Sequence, residues 1–215
     1  MNRWLILALA CCALLPACTS EQGGEMRLSA LGARRLVLER PLREGVYADL
    51  DSEHGFWFSD IELDGFASAA APIESAVVVH AQLVWKPEPG RTPLSATATN
   101  TVIRVMVVSK GEVGIYGGAG FARPLGTLDD EVIEIDLKGG TLTLLHSTKG
   151  FHDLLSPAEL TGILTARRST EAVQNWRRAS SQFATNAMGK SMWVSSDGLP
   201  ALMMTEAAAL AFSPR

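Results

Sequence analysis

The chain has 215 residues, of which 47% are hydrophobic, and its 19 basic and 23 acidic residues give a formal net charge of −4. No basic block of the kind that contacts a phosphate backbone interrupts this balance, which argues against nucleic-acid binding. All three cysteines (Cys11, Cys12 and Cys18) precede residue 20, so the remaining chain has no thiol for a disulfide, a thiolate metal site or cysteine catalysis.

The N-terminus combines a basic start with a short apolar run. Arg3 precedes the run, and the sequence Leu15-Pro16-Ala17-Cys18 closes it. An apolar stretch of this length is too short to cross a bilayer comfortably and is typical of an export signal. The closing sequence resembles the lipobox of bacterial lipoproteins, in which the chain is cut before the cysteine and that cysteine receives the lipid.

This resemblance implies a location and a division of the chain. Residues 1–17 are then a signal peptide, and residues 18–25 are the lipidated cysteine and a polar tether. The remaining residues 26–215 have the length of one domain, and their sequence pattern, described below, predicts a single β-rich α+β domain. Thr19 in place of Asp implies transfer to the outer membrane in a host of Gram-negative type, facing the periplasm. We therefore expect an envelope protein held to the membrane by its N-terminal lipid.

The first half of the chain predicts three strands. Arg34–Arg40 and Phe56–Leu63 are plausible strands in polar settings, and Ala76–Trp85 alternates with a period of two between an apolar and a wetter face. Prolines and a glycine at 87–93 then predict an irregular loop.

The segment Thr97–Ser109 resumes a strand and turns at Lys110-Gly111. That turn pairs Val108 with Val113, Met106 with Ile115, Val107 with Gly114 and Val105 with Tyr116. Both faces of the resulting hairpin are largely apolar, so we expect it to be central and covered on both sides.

A second hairpin is predicted at Gly139-Gly140, because both glycines tolerate positive φ. This turn brings three apolar-face pairs together, namely Leu137 with Leu142, Ile135 with Leu144 and Ile133 with His146. Glu134, Asp136, Thr141 and Thr143 then form a wet opposite face.

The C-terminal part predicts a turn at Ser156-Pro157, a strand over Leu160–Arg167 and a helix over Thr170–Ala184. Val173, Trp176 and Phe183 fall on one side of this helix. The apolar stretch Leu199–Phe212 is interrupted by Glu206 and is too short for a second membrane span. The pattern as a whole predicts an α+β fold, in which hairpins form a predominantly antiparallel sheet, flat or curled, with the C-terminal helix packed against it.

An acidic run partly imitates a calcium loop. Its candidate ligands are Asp49, Asp51, Glu53, His54 and Asp60. His54 stands where the loop requires a glycine, and Asp60 is shorter than the bidentate glutamate expected at the last position. A solvated turn before a strand is the simpler interpretation, and a metal is the weaker alternative.

Two glycine patterns suggest phosphate binding only superficially. Gly114, Gly117, Gly118 and Gly120 are not followed by a helix start, so bulges or close strand approach explain them better. Gly189-Lys190-Ser191 resembles the end of a nucleotide loop, but Ala184 stands where its first glycine belongs. We reject both as nucleotide sites.

A polar face of the sheet supplies another candidate. If the proline loop joins neighbouring strands, Gln82 lies opposite Asn100, and His80 and Arg104 share their face. These groups suit an anionic or sugar-like ligand, although loose polar residues on a sheet seldom form a site. His146 and His152 are weaker candidates, as a core-edge residue and a loop residue.

The sequence therefore favours a non-enzymatic envelope lipoprotein that binds a partner protein or a small ligand. No catalytic residue and no cofactor is predicted, since the motifs of serine hydrolases and zinc proteases are missing. One alternative is a ligand-binding module that uses His80, Gln82, Asn100 and Arg104. The other is a metal-dependent hydrolase that uses the Asp49–His54 cluster.

Overall fold

The computed structural model describes residues 22–50, 53–67, 72–85, 99–191 and 193. The described chain is mostly antiparallel sheet with a helix packed on it near the C-terminal end, and its helical content is small. The elements are β1 (Gly23–Ala30), β2 (Val37–Leu42), β3 (Glu44–Leu50), β4 (Glu53–Ser59), α1 (Leu63–Ala67), β5 (Ser75–Leu83), β6 (Thr101–Ser109), β7 (Glu112–Leu125), β8 (Val132–Ser147), β9 (Ala158–Arg168) and α2 (Thr170–Met188).

The sheet closes on itself. Its strand order is β2-β1-β9-β3-β4-β5-β6-β7-β8, and β8 also pairs with β9. The strands from β3 to β9 therefore form a closed ring, and the β1–β2 hairpin extends from β9. Among the described strands, only β3 and β9 pair in parallel, through Val46 with Arg167 and Tyr47 with Arg168. Closure removes the unpaired edges that an open sheet of these strands would expose.

Two apolar layers hold this sheet. The interior layer contains Val77, Val79, Val105, Ile135 and Leu164, together with residues of the β1–β2 hairpin. The second layer lies on the outer face of β3 to β7 and joins residues such as Trp57, Val78, Met106, Val173 and Trp176. Strands that are buried on both faces explain why Ala76–Val79 and Val105–Val108 are apolar at every position.

The β6–β7 hairpin confirms the predicted register in full. Val108 pairs with Val113, Met106 with Ile115, Val107 with Gly114 and Val105 with Tyr116. Lys110 and Gly111 have φ values of 54° and 76°, which are the left-handed values that a tight hairpin turn requires.

The hairpin predicted at Gly139-Gly140 is wrong. β8 runs straight through these glycines and pairs with β7 on one side and β9 on the other. Three steps of β8, from Leu137 to Gly140, oppose two steps of β9, so β8 carries one extra residue in a bulge. Gly139 has a left-handed φ of 59° at this bulge.

The bulge and the predicted turn produce the same hydrophobic pattern. In the folded chain Ile133, Ile135 and Leu137 face the interior, and after the bulge Leu142 does so as well. A two-residue turn at the same place would also put Leu137 and Leu142 on one face. The alternation of side chains therefore cannot distinguish the two structures, and long-range pairing decides between them.

Several element boundaries also differ from the sequence prediction. The strand predicted over Arg34–Arg40 lies at Val37–Leu42, and Phe56–Leu63 divides into the end of β4 and the start of α1. Strand β3 was not predicted. Gly23–Glu25, predicted to belong to the tether, pair with β2 or β9 instead as the first residues of β1.

The C-terminal helix is confirmed and extends to Met188. The side chain of Ser169 caps its first turn by accepting a hydrogen bond from the Ala172 amide. Gly189 ends the helix with a left-handed φ of 72°.

We predict that Gly118→Ala destabilises the closed sheet. A Cβ at this position would lie 1.9 Å from the Thr141 carbonyl oxygen, so the backbone of β7 or β8 must move. The expected loss in free energy of unfolding, measured by urea titration, is about 1–3 kcal/mol. Gly32→Ala is the matched control, since a Cβ there meets nothing within 4 Å. Equal effects of the two substitutions would contradict the close approach of β7 and β8.

Candidate functional site

The predicted lipidation site lies outside the described residues. Residues 1–17 and Cys18 are not among them, and β1 begins five positions after Cys18, at Gly23. None of the helices in the described part of the chain is long and apolar enough to cross a membrane.

The predicted metal ligands do not gather at one place. Asp49 and His54 face each other at the β3–β4 turn, with Oδ1 and Nδ1 3.0 Å apart but not aligned for a hydrogen bond. Asp60 lies beyond the opposite end of β4, about 20 Å away at the usual rise per strand residue. Asp51 and the side chain of Glu53 lie outside the description. Across the described residues, no group of three or more His, Cys, Asp or Glu side chains could hold a metal ion.

Asp60 has a structural role at its own end of the sheet. Its Oδ1 accepts a hydrogen bond from the Val77 amide at 2.7 Å, which ties the loop after β4 to the start of β5. Burial raises the pKa of Asp60, while the hydrogen bond to the Val77 amide and the nearby Arg40 and Arg43 oppose that shift.

The predicted polar face is only partly assembled. His80 pairs directly with Arg104, but Gln82 lies opposite Val102 and not opposite Asn100, because the register is offset by two residues. Asn100 is fully buried, and both ends of its side-chain amide bond to the backbone of Ala122 at 2.7 Å. Asn100 therefore fixes the start of β6 against β7.

His80 is sealed beneath aromatic rings. Its imidazole lies 4.3 Å from the ring of Trp57, measured between centroids, and Trp57 in turn contacts Trp193. Arg104, on the neighbouring strand, donates a hydrogen bond to the Trp193 carbonyl. His80 and Trp193 are both buried. Arg104, through its hydrogen bond, and Trp57, through its ring contact, hold Trp193 onto the sheet, and His80 packs against Trp57.

The electrostatic setting keeps His80 neutral. Burial, reinforced by the positive charges of Arg104 and Arg177, lowers the pKa of His80 to about 3. An imidazole in this state does not gain a proton near neutral pH, and its burial keeps substrates away. The arrangement suits packing better than general acid–base chemistry.

Two of the glycines considered for phosphate binding allow neighbouring strands to approach closely. A Cβ on Gly118 or Gly120 would collide with the backbone of β8, which confirms close strand approach as their role. Gly189 ends α2, and no helix starts at the described residues 189–191, so the geometry for anion binding at a helix start is missing in this segment.

A groove between the two helices is the site that sequence analysis missed. It encloses about 1100 Å³ and is bordered by α1, by one side of α2 from Asn175 to Ala187 and by the β6–β7 turn. Its floor is apolar and includes Leu63, Phe66, Ile73, Val113, Ala179 and Phe183.

Two aromatic contacts shape this groove. The Phe66 ring lies 4.7 Å from Phe183 and 5.6 Å from Trp176, measured between centroids, so Phe66 packs α1 against α2. The groove was missed because α1 has only five residues. The strand predicted over Phe56–Leu63 ended at the first of them, and no element was predicted over residues 64–67. One residue gave a partial signal of the groove. Phe183 was predicted on the same side of α2 as Val173 and Trp176, but it is not among the fully buried residues of that helix.

Comparison with protein-family models, with curated proteins and with solved structures finds no match to this chain.

We predict that His80 makes the protein sensitive to acid. The unfolded chain binds a proton at His80 near the ordinary pKa of 6.5, whereas the folded chain does so only near pH 3. The free energy of unfolding should therefore fall as pH decreases between these values, at up to about 1.4 kcal/mol per pH unit. His80→Gln should reduce this slope in urea titrations, whereas His152→Gln, at an exposed loop position, should not. Identical slopes for His80→Gln and the unmodified protein would contradict the burial of a neutral imidazole.

Proposed function

We propose that this protein is a lipid-anchored, non-enzymatic component of the bacterial cell envelope that binds a partner protein through the α1–α2 groove. The observation that carries the anchor is the sequence Leu15-Pro16-Ala17-Cys18, followed almost at once by folded structure. Five steps of extended chain separate Cys18 from Gly23, a span of at most about 18 Å. Such a tether would hold the domain close to the membrane surface.

The short tether also favours one orientation. Gly23 approaches the carbonyl of Leu42, and β3 starts two residues later at Glu44. The carboxylate of Glu44 accepts a hydrogen bond from the Trp176 indole of α2 at 3.2 Å. The start of β1 and the helical layer are therefore neighbours, so a lipid at Cys18 would keep the helical layer near the membrane surface.

The shape of the groove supports a partner protein over a small ligand. Its α2 border, from Asn175 to Ala187, covers about 18 Å of helix, the length of a short helical segment. An open apolar groove of this length suits the apolar face of a partner segment. The buried His80 group and the dispersed acidic group have less to support them as sites, because neither presents converging side chains in a cleft.

We predict that Cys18→Ala releases the protein from the membrane fraction. Loss of the thiol removes the point of lipid attachment, and no described helix can replace it. Membrane fractionation with intact-mass analysis tests this, and Cys12→Ala is the matched control within the signal segment. An unprocessed N-terminus, or unchanged membrane association of Cys18→Ala, would refute the anchor.

We predict that Ala67→Lys and Ala187→Lys weaken partner capture. Both residues line the groove and are exposed, so each lysine places a charge on the docking surface without disturbing the core. Their free energies of unfolding should change by no more than about 0.5 kcal/mol. Capture from native envelopes, quantified by mass spectrometry, should fall for both but not for Leu125→Lys, at an exposed site outside the groove. Equal capture by all three variants would exclude the groove as the binding surface.

A further inference from the structure

The last described residue lies in the same layer that forms the groove. Trp193 is buried on the outer face of the sheet, with its ring 6.2 Å from Trp57 between centroids. α2, which borders the groove as far as Ala187, belongs to this layer too. Residues 194–215 continue the chain from this point. Trp193 is six positions after Ala187, so it lies at most about 20 Å from that end of the groove. The six steps from Trp193 to Leu199 can span the same distance, which allows the chain to return to the groove.

The sequence that follows matches the groove in length and character. Residues 199–212 are rich in alanine, leucine and methionine, the residues with the strongest helix propensity. A helix over these positions would be about 21 Å long, close to the 18 Å of α2 that border the groove. Its surface would be almost wholly apolar, as is the groove floor.

The charges are complementary as well. Glu206 is the only charged residue within 199–212. The described residues that line the groove include one cation, Arg178 on α2, and one anion, Asp64 on α1. Arg178 is exposed, and its guanidinium donates to Asn175 Oδ1 at 2.6 Å. A carboxylate brought into the groove beside Arg178 would therefore meet an opposite charge.

We propose that residues 199–212 of this chain occupy the α1–α2 groove, with Glu206 beside Arg178. The segment acts as an intramolecular competitor, and a partner must displace it to bind. This inference deepens the proposed function and rests on it only for the role of the groove in partner binding. Occupation of the groove by the segment can be tested on the isolated full chain, without any partner and whether or not Cys18 carries a lipid.

Site-specific photo-crosslinking tests the occupant. Gln182 lines the groove and is exposed, so Gln182→p-benzoylphenylalanine places the reactive group at the groove wall. Irradiation of the full chain should yield monomeric product in which this residue is joined to a peptide from 199–212. Ile163, 56% exposed on β9 outside the groove, is the matched control position. Capture of the segment equally from both positions, capture only in dimers, or no capture of the segment would each overturn the proposal.

Charge-reversal variants provide a second test of the proposed contact between Glu206 and Arg178. Arg178→Glu and Glu206→Arg should each lower the yield of the Gln182 cross-link, by up to about fivefold, as expected for one exposed ion pair. The double variant should restore the yield. Equal yields in all four proteins would overturn the placement of Glu206 beside Arg178. If the protein captures no partner from native envelopes but still gives the Gln182 cross-link, only the partner-binding role of the groove is contradicted.

Discussion

The pairing of β8 with β9 is the constraint on which the rest of the structure depends. Because β9 also pairs with β1 and β3, this one contact turns a row of strands into a closed sheet. Closure separates an interior that is filled with aliphatic side chains from an outer face that the helices cover. The bulge at Gly139 lies within this contact, and its one extra residue leaves Leu137 and Leu142 both facing the interior.

The polar residues that looked most capable of chemistry are largely used to fasten this closed sheet. Asn100 binds the backbone of Ala122 in β7, Asp60 accepts a hydrogen bond at the start of β5, and His80 packs against Trp57. Buried polar groups need partners, and here those partners come from neighbouring segments. The surface most suited to binding is instead the groove between α1 and α2. The polar residues of these helices match no known sequence motif. The proposed function therefore rests on the α1–α2 groove and the predicted lipid anchor, and not on a cluster of reactive side chains.

Local sequence information was sufficient where the turn and both strand faces were specified together. Lys110-Gly111 has the conformation that its pairing needs, so the β6–β7 register followed from residues close in the chain. At Gly139 the same logic failed, because a turn and a bulge place Leu137 and Leu142 on the same face. The predicted pairing of Gln82 with Asn100 was wrong, because the long connection between β5 and β6 does not determine which residues of the two strands pair. Prediction of the groove would have required prediction of α1, which is too short to show a periodic hydrophobic pattern.

Closure of the sheet can be measured directly in solution. Backbone nuclear Overhauser effects distinguish the two arrangements of residues 133–146, because they report which strands are neighbours. The closed sheet predicts interstrand effects between Ile135 and Leu164, which are register partners in β8 and β9. A hairpin at Gly139-Gly140 predicts them between Ile135 and Leu144. Observation of the second pair, with no contact between β8 and β9, would contradict the closed sheet and the helical layer that rests on it.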